Sequence, residues 1–171
     1  STENWRRGKN WVDKYFKLLR LLFAKNLAKL NQKNVKLNLI GDVTKLPADI
    51  QNLFNEWLEK TSGNRKLTLT IAINYGGRDE LVRAVNRILQ GPTLQAVTEK
   101  QLTGYLDTKD LPEPDLLIRT GQNNTRLSGF MLWQIAYSQL YFCDTLFPDF
   151  DAKELDKAVA WRQKQTQNLG K

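Results

Sequence analysis

Arginine is the side chain best suited to gripping a phosphate, because its planar guanidinium presents several donors at once and stays charged. In DLLIRTGQNNTRLSGFMLWQ, residues 115–134, a short apolar run delivers Arg119, a Gly/Asn loop follows, and Arg126 and Ser128 open the next apolar segment. A strand that carries an arginine out of its C-terminal end, a turn whose amides can face inward, and a second arginine with a hydroxyl together suit a multiply charged phosphate. Local pattern alone leaves a second reading open, in which both arginines solvate a surface turn, since exposed arginines are common.

Elements upstream must hold such a clamp in place. Val12, Phe16, Leu19, Phe23, Leu27 and Leu30 recur at steps of three and four, which predicts a helix over residues 10–32 with an unusually wide apolar face. A strand over 35–41, a turn at Gly41-Asp42 and a helix over 47–62 follow, the helix carrying Ile50, Leu53, Phe54 and Leu58 on one side. The pattern repeats with LTLTIAINY as a strand (67–75), a break at Gly76-Gly77, and a helix over 78–89 that turns Leu81, Val82, Val85 and Leu89 inward. Beyond these come a short helix over 99–106, the clamp strand at 115–119, a short helix over 129–137, a last strand in LYFCD, and a C-terminal helix capped by Asp151. Strand and helix in alternation imply an α/β fold, a mostly parallel sheet flanked by helices, within a single domain spanning 1–171. In such sheets ligands bind at the carboxyl ends of the strands, so Asn74 to Arg78 and Arg119 to Ser128 are expected to share one rim.

Composition removes several classes of chemistry. The 171 residues are 41% hydrophobic and 26% charged, ordinary for a globular domain. There is no histidine and only Cys143, so a zinc site, a disulfide framework and a histidine-activated thiol are all excluded; Cys143 reads as a small buried hydrophobe. No apolar run approaches the roughly 18 residues of a membrane span, and a cytoplasmic protein is expected. The net charge of +8 is concentrated at the start, where Arg6, Arg7, Lys9, Lys14, Lys17, Arg20, Lys25, Lys29 and Lys33 face only Glu3 and Asp13. Solvated helix face, nucleic acid and an anionic lipid surface all fit that imbalance, but no nucleic-acid reading motif accompanies it, so no nucleic-acid partner is expected.

STENW (1–5), VKLNLIGD (35–42), INYGGRDELVRAV (73–85), LPEPDLLIRT (111–120), RLS (126–128), FMLWQIAYSQLYF (130–142) and LFPDF (146–150) occur in an order that resembles the cis-prenyltransferases, and within them the undecaprenyl diphosphate synthases. The resemblance covers nearly the whole chain. It implies the condensation of isopentenyl diphosphate with an allylic diphosphate such as farnesyl diphosphate, in cis, to give a long polyprenyl diphosphate, with Mg²⁺ as cofactor. It implies that Arg119, Arg126 and Ser128, with Leu127 between them, hold the isopentenyl diphosphate. Ser1, Thr2, Glu3, Trp5 and Arg7 match the substrate-contacting segment, and Asn4 matches the residue assigned to proton removal. A neutral amide is a poor base, so Asn4 is expected to orient a phosphate oxygen that accepts the proton. The helix over 10–32 is expected to wall a hydrophobic tunnel for the tail. A homodimer and peripheral contact with the inner membrane face are further implications.

The chain departs from that family pattern in four places. The pattern begins upstream of the segment matching Ser1, with a first strand, an Asp for Mg²⁺ and a Gly/Arg loop for the allylic diphosphate, so the chain is expected to be the C-terminal portion of an N-terminally truncated domain. Gln139 stands where the family has a magnesium-binding Glu, and an amide binds Mg²⁺ weakly. Asn168-Leu169-Gly170 stands where an Arg-x-Gly reaches across the dimer. One extra residue separates Arg119 from Arg126. Two functions of different class therefore remain: a prenyltransferase, or a catalytically weakened, non-enzymatic partner subunit of a heteromeric one.

Overall fold

The computed structural model describes residues 1–91, 96–122 and 125–166, apart from the side chains of Leu22, Ala24, Lys25 and Leu27. It divides into two compact units, residues 1–109 and 110–171. Both are mixed α/β, with parallel strands flanked by helices.

In the first unit the three- and four-residue spacing of large apolar side chains makes α1 (Lys9–Gln32) and turns Phe16 and Phe23 into the core. Then come β1 (Val35–Ile40), α2 (Ala48–Thr61) and β2 (Leu67–Ala72), a β-α-β unit in which the strands pair in parallel from Val35 opposite Leu67 to Ile40 opposite Ala72. Ile50, Phe54 and Trp57 of α2 are buried, and Phe23 meets Phe54 edge-on, with ring centroids 4.8 Å apart. Trp57, not singled out in the sequence pattern, is also stacked at a tilt on Phe23 at 4.6 Å. Thr61 ties the end of α2 to β1: its hydroxyl donates to the Trp57 carbonyl at 2.8 Å and accepts from the Leu37 amide at 3.0 Å.

Helix α3 (Gly77–Leu89) corrects the expected orientation. Glu80 and Ala84 are buried, whereas Val82, Val85 and Leu89 are exposed. The helix is turned by its polar side chains: Glu80 and Arg83 have inward partners, so Val82, Val85 and Leu89 face out while Leu81 stays half-buried. Helix α4 (Glu99–Tyr105) begins with a capping box between Thr98 and Gln101. The second strand ends earlier than expected, at Ala72, because Asn74 leaves extended geometry with φ of 45°.

The second unit contains β3 (Leu116–Thr120), β4 (Gln139–Cys143) and α5 (Ala152–Gln163). The strands pair in parallel, with Arg119 opposite Phe142. Asp151 caps α5 as expected, its carboxylate accepting the Glu154 amide at 3.0 Å. The helix expected over 129–137 is replaced by successive turns. Ser128, Gly129 and Met131 have φ of 50°, 74° and 48°, and left-handed residues interrupt an α-helical ladder. Cys143 is half-buried on β4 rather than sealed in a core.

Candidate functional site

In the first unit the sequence-singled segment at 1–7 folds as a 3₁₀ turn, Thr2–Arg7, laid on the carboxyl ends of β1 and β2. Ser1 caps it by accepting the Glu3 amide at 3.2 Å. The Thr2 amide donates to the Tyr75 carbonyl at 3.1 Å, and a Cβ at Gly76 would lie 2.7 Å from the Thr2 hydroxyl oxygen, so the glycine permits this close approach. Trp5 is fixed at its polar end, its indole N–H donating to Asn74 Oδ1 at 2.6 Å. Asn74 is itself buried and donates through its amide nitrogen to the Asp42 carbonyl at 2.8 Å. Its left-handed backbone is one that asparagine tolerates better than most residues.

Asn4 lines a small pocket of about 30 Å³ with Trp5, Tyr15, Phe16 and Ile73. Arg7 lies with its guanidinium carbon 4.8 Å from the centroid of Trp11, an exposed cation over a ring. Glu3 is exposed. Asp42, at the rim, is held below the usual carboxylate range chiefly by the Thr44 hydroxyl, which donates to it, with Lys45 adding a further contact. A separate apolar cavity of about 380 Å³ in this unit is lined by Phe23, Leu30, Trp57, Leu69 and Ile71, with Lys29 and Lys33 on its wall. The unusually wide apolar face of α1 thus both packs a core and lines a cavity.

In the second unit the structure brings Arg119 and Ser128 together. The guanidinium Nη2 of Arg119 lies 3.4 Å from the Ser128 hydroxyl, while its Nε is buried with no partner among the described residues. A buried, unpaired donor on a charged group is costly unless something supplies an acceptor. Gly121, at φ 109°, ends the strand and donates its amide to the Thr145 carbonyl at 2.9 Å, and Ser128 is also left-handed. Leu127 is half-buried and Arg126 exposed. Below the arginine lies an apolar cavity of about 190 Å³ bounded by Leu116, Ile118, Leu127, Phe130, Met131 and Ile135. The arrangement can hold an anion at a greasy opening.

Gln139 opens β4, its amide donating to the Asp115 carbonyl at 3.0 Å. Among the described residues no group of three or more acidic, Cys or His side chains gathers that could hold a metal. Asn168 and its neighbours lie outside the described residues. Sequence reasoning passed over Asn74 as the partner of Trp5, and over Glu80, Arg83 and Asp107 beneath the rim. Asn74 sat in a motif already noticed; nothing in spacing marked Asp107.

Comparison with known proteins adds to this geometry. A family profile described as "Putative undecaprenyl diphosphate synthase" matches residues 1–170. An isoprenyl transferase of Ralstonia nicotianae is 40% identical over 174 residues, covering 100% of this chain and 67% of its own length. The chain thus spans about two thirds of the length of the curated relatives it matches. Among solved structures, a probable undecaprenyl diphosphate synthase from Campylobacter jejuni superposes with a TM-score of 0.87 at 36% identity, over 99% of this chain and 79% of that one. Lavandulyl diphosphate synthase from Lavandula x intermedia, in complex with dimethylallyl diphosphate, gives 0.93 at 28% identity, over 99% and 75%.

Proposed function

Because this chain belongs to the undecaprenyl diphosphate synthase family of prenyltransferases, we propose that it serves a cis-prenyltransferase that condenses isopentenyl diphosphate with an allylic diphosphate into a long polyprenyl diphosphate. The observation that carries the substrate reading is Arg119, whose buried Nε has no partner among the described residues, beside Ser128 and over an apolar cavity. A diphosphate supplies the missing acceptor, and the cavity accommodates a short hydrocarbon. In this reading both compact units serve one prenyltransferase domain, the C-terminal portion of a longer pattern.

The reaction joins C4 of the isopentenyl unit to C1 of the allylic unit, breaks the allylic carbon–oxygen bond, and releases a proton from C2. Arg119, Arg126 and Ser128 hold the isopentenyl diphosphate, with Leu127 setting the spacing between the last two. Charge growing on the departing diphosphate calls for preorganised cations. In the first unit, Asn4 orients through its amide a phosphate oxygen that takes the proton, since a neutral amide cannot itself act as base. Ser1, Thr2, Glu3 and Arg7 complete the segment that contacts substrate, and Trp5 packs on the isoprenoid. The cavity lined by Phe23, Leu30, Trp57, Leu69 and Ile71 is the natural place for the tail. Each carbon buried there contributes roughly 0.8 kcal/mol, so elongation needs no specific contact.

Mg²⁺ is the cofactor that the resemblance implies. The described residues do not fit a protein-held Mg²⁺: Gln139 offers a neutral amide and no acidic cluster forms. Gln139, standing where the family has a magnesium-binding Glu, favours the second reading, a non-enzymatic partner subunit. Incorporation of radiolabelled isopentenyl diphosphate onto farnesyl diphosphate with Mg²⁺, by the complete protein and its Gln139→Glu variant, separates the two. Activity in the parent rejects the partner-subunit reading, and activity gained only in the variant supports it. Exposed Tyr137, Phe142 and Phe147 support a homodimer, and a monomer by sedimentation at micromolar concentration counts against it. No helix among the described residues is long and apolar enough to cross a membrane. Leu18 and Leu21, exposed on α1 near Lys14 and Lys17, support peripheral contact at the inner membrane face; failure to co-sediment with anionic vesicles counts against that.

A further inference from the structure

Beneath the rim of the first unit lies a polar cluster that the proposed chemistry does not touch. Asp107 follows α4, and its side chain is 10% exposed. Its two oxygens accept Arg83 Nη1 at 2.8 Å and Nη2 at 2.6 Å, a two-pronged grip, and Arg87 approaches at 3.3 Å. The Gly41 amide, one residue past β1, also donates to Asp107, at 3.0 Å. The Asp107 amide in turn donates to Glu80 at 2.9 Å, and the other oxygen of that fully buried carboxylate accepts the Tyr75 hydroxyl at 2.6 Å. One aspartate thus links α3, the segment after α4, and the loops that follow β1 and β2.

From Gly41 the connection runs on to the substrate segment. Gly41 is at φ 107°, and a Cβ there would lie 2.0 Å from the Ile73 carbonyl oxygen, so the two strand ends touch through backbone. The next residue, Asp42, is bound twice to Asn74: its amide donates to the Asn74 carbonyl at 3.3 Å, and its carbonyl accepts the Asn74 side chain at 2.8 Å. Asn74 then receives the indole of Trp5.

Removing charges from water offsets most of what a buried ion pair gains, and apolar side chains of similar volume commonly stabilise a fold as well. A cluster of this kind is therefore poorly explained by stability and better explained by geometry that must not vary. We propose that Asp107 is a positioning residue, holding the Gly41-Asp42 turn and, through it, Asn74 at the height that seats Trp5 in the substrate half-site. The role of Trp5 rests on the prenyltransferase reading; the mechanical linkage does not.

The test uses the complete protein. Its Trp5 indole N–H resonance, assigned in a ¹H–¹⁵N spectrum by loss in Trp5→Phe, is followed in Asp107→Ala, with thermal unfolding measured in parallel. Loss of the Gly41 and Arg83 anchors is expected to move that resonance and to speed its exchange with solvent by about tenfold through local opening. The accompanying kinetic expectation is a fall in kcat of about tenfold, with KM for isopentenyl diphosphate changed less than twofold, as for misplacement of one substrate half-site. A folded Asp107→Ala protein with an unmoved Trp5 resonance and unchanged exchange overturns the proposal, whatever its melting temperature. If that variant does not fold, Asp107→Asn, which keeps an oxygen for the Gly41 amide, is judged by the same resonance. A parent protein without transferase activity counts against the prenyltransferase reading, and the indole measurement still decides the linkage.

Discussion

The candidate sites of the two units are built in opposite ways. In the first unit the rim is tied together, Trp5 to Asn74, Asn74 to Asp42 and Gly41 to Asp107, above a core of Phe16, Phe23, Leu37, Ile50, Phe54 and Trp57. In the second unit, Ile135 and Ala158 are the only fully buried hydrophobic side chains among the described residues, Arg119 keeps an unpaired buried donor, and Arg126 is exposed. A short chain segment cannot bury enough apolar surface to make both a core and a rigid site. The contrast teaches that the rim of the first unit is held by its own hydrogen bonds, whereas the second unit keeps a buried guanidinium donor with no partner among the described residues.

Core truncation exposes that difference most strongly. Phe54→Ala should cost about 3–5 kcal/mol, because the buried ring sits edge-on against Phe23 in a surround that cannot collapse around the gap. Ile135→Ala, beside a cavity already present, should cost nearer 2 kcal/mol. Equal losses in urea unfolding would break the comparison. Next in size is Arg119→Ala. Removing one charge-assisted contact to a diphosphate should weaken isopentenyl diphosphate binding by about 10- to 100-fold. Stability should hold or rise slightly, since the substitution removes a buried donor that has no partner among the described residues. Calorimetric titration with the diphosphate and a melting curve check the two parts. Unchanged affinity would return Arg119 to solvation of a turn.

What was legible in the sequence follows from which interactions are local. Apolar spacing marked α1, α2 and all four strands to within a few residues, and Asp151 was readable as a cap because a cap acts within one turn. The orientation of α3 was not readable. Val82, Val85 and Leu89 have the right spacing to be buried, and they lose to Glu80 and Arg83, whose partners Tyr75 and Asp107 come from elsewhere in the chain. The turns in place of a helix over 129–137 arise from left-handed Ser128 and Met131, residues whose types do not announce such backbone. The pairing of Arg119 with Ser128 was legible from order along the chain, but the unpaired Nε that gives it meaning is a property of packing alone.

The gentlest probe of the contrast is acid, because the two units hold their charges differently. Burial alone would push the Asp107 carboxyl up, but Arg83, the Gly41 amide and Arg87 outweigh it and hold the group below its ordinary value. A group with a depressed folded pKa binds fewer protons folded than unfolded, so its contribution is complete above the ordinary aspartate range, near pH 4. That contribution drains away as pH falls through the lower folded value. Stability of the first unit should therefore decline below about pH 4, and the decline should be shallower in Asp107→Asn, which has no proton to take up. Urea unfolding of the two proteins at a series of pH values, followed by tryptophan fluorescence, to which buried Trp57 contributes, measures this. If the parent and Asp107→Asn lose stability along parallel curves, Asp107 is not the group through which acid loosens the rim, and the interlocked character assigned to the first half-site must lie with the paired backbone of Asp42 and Asn74 instead.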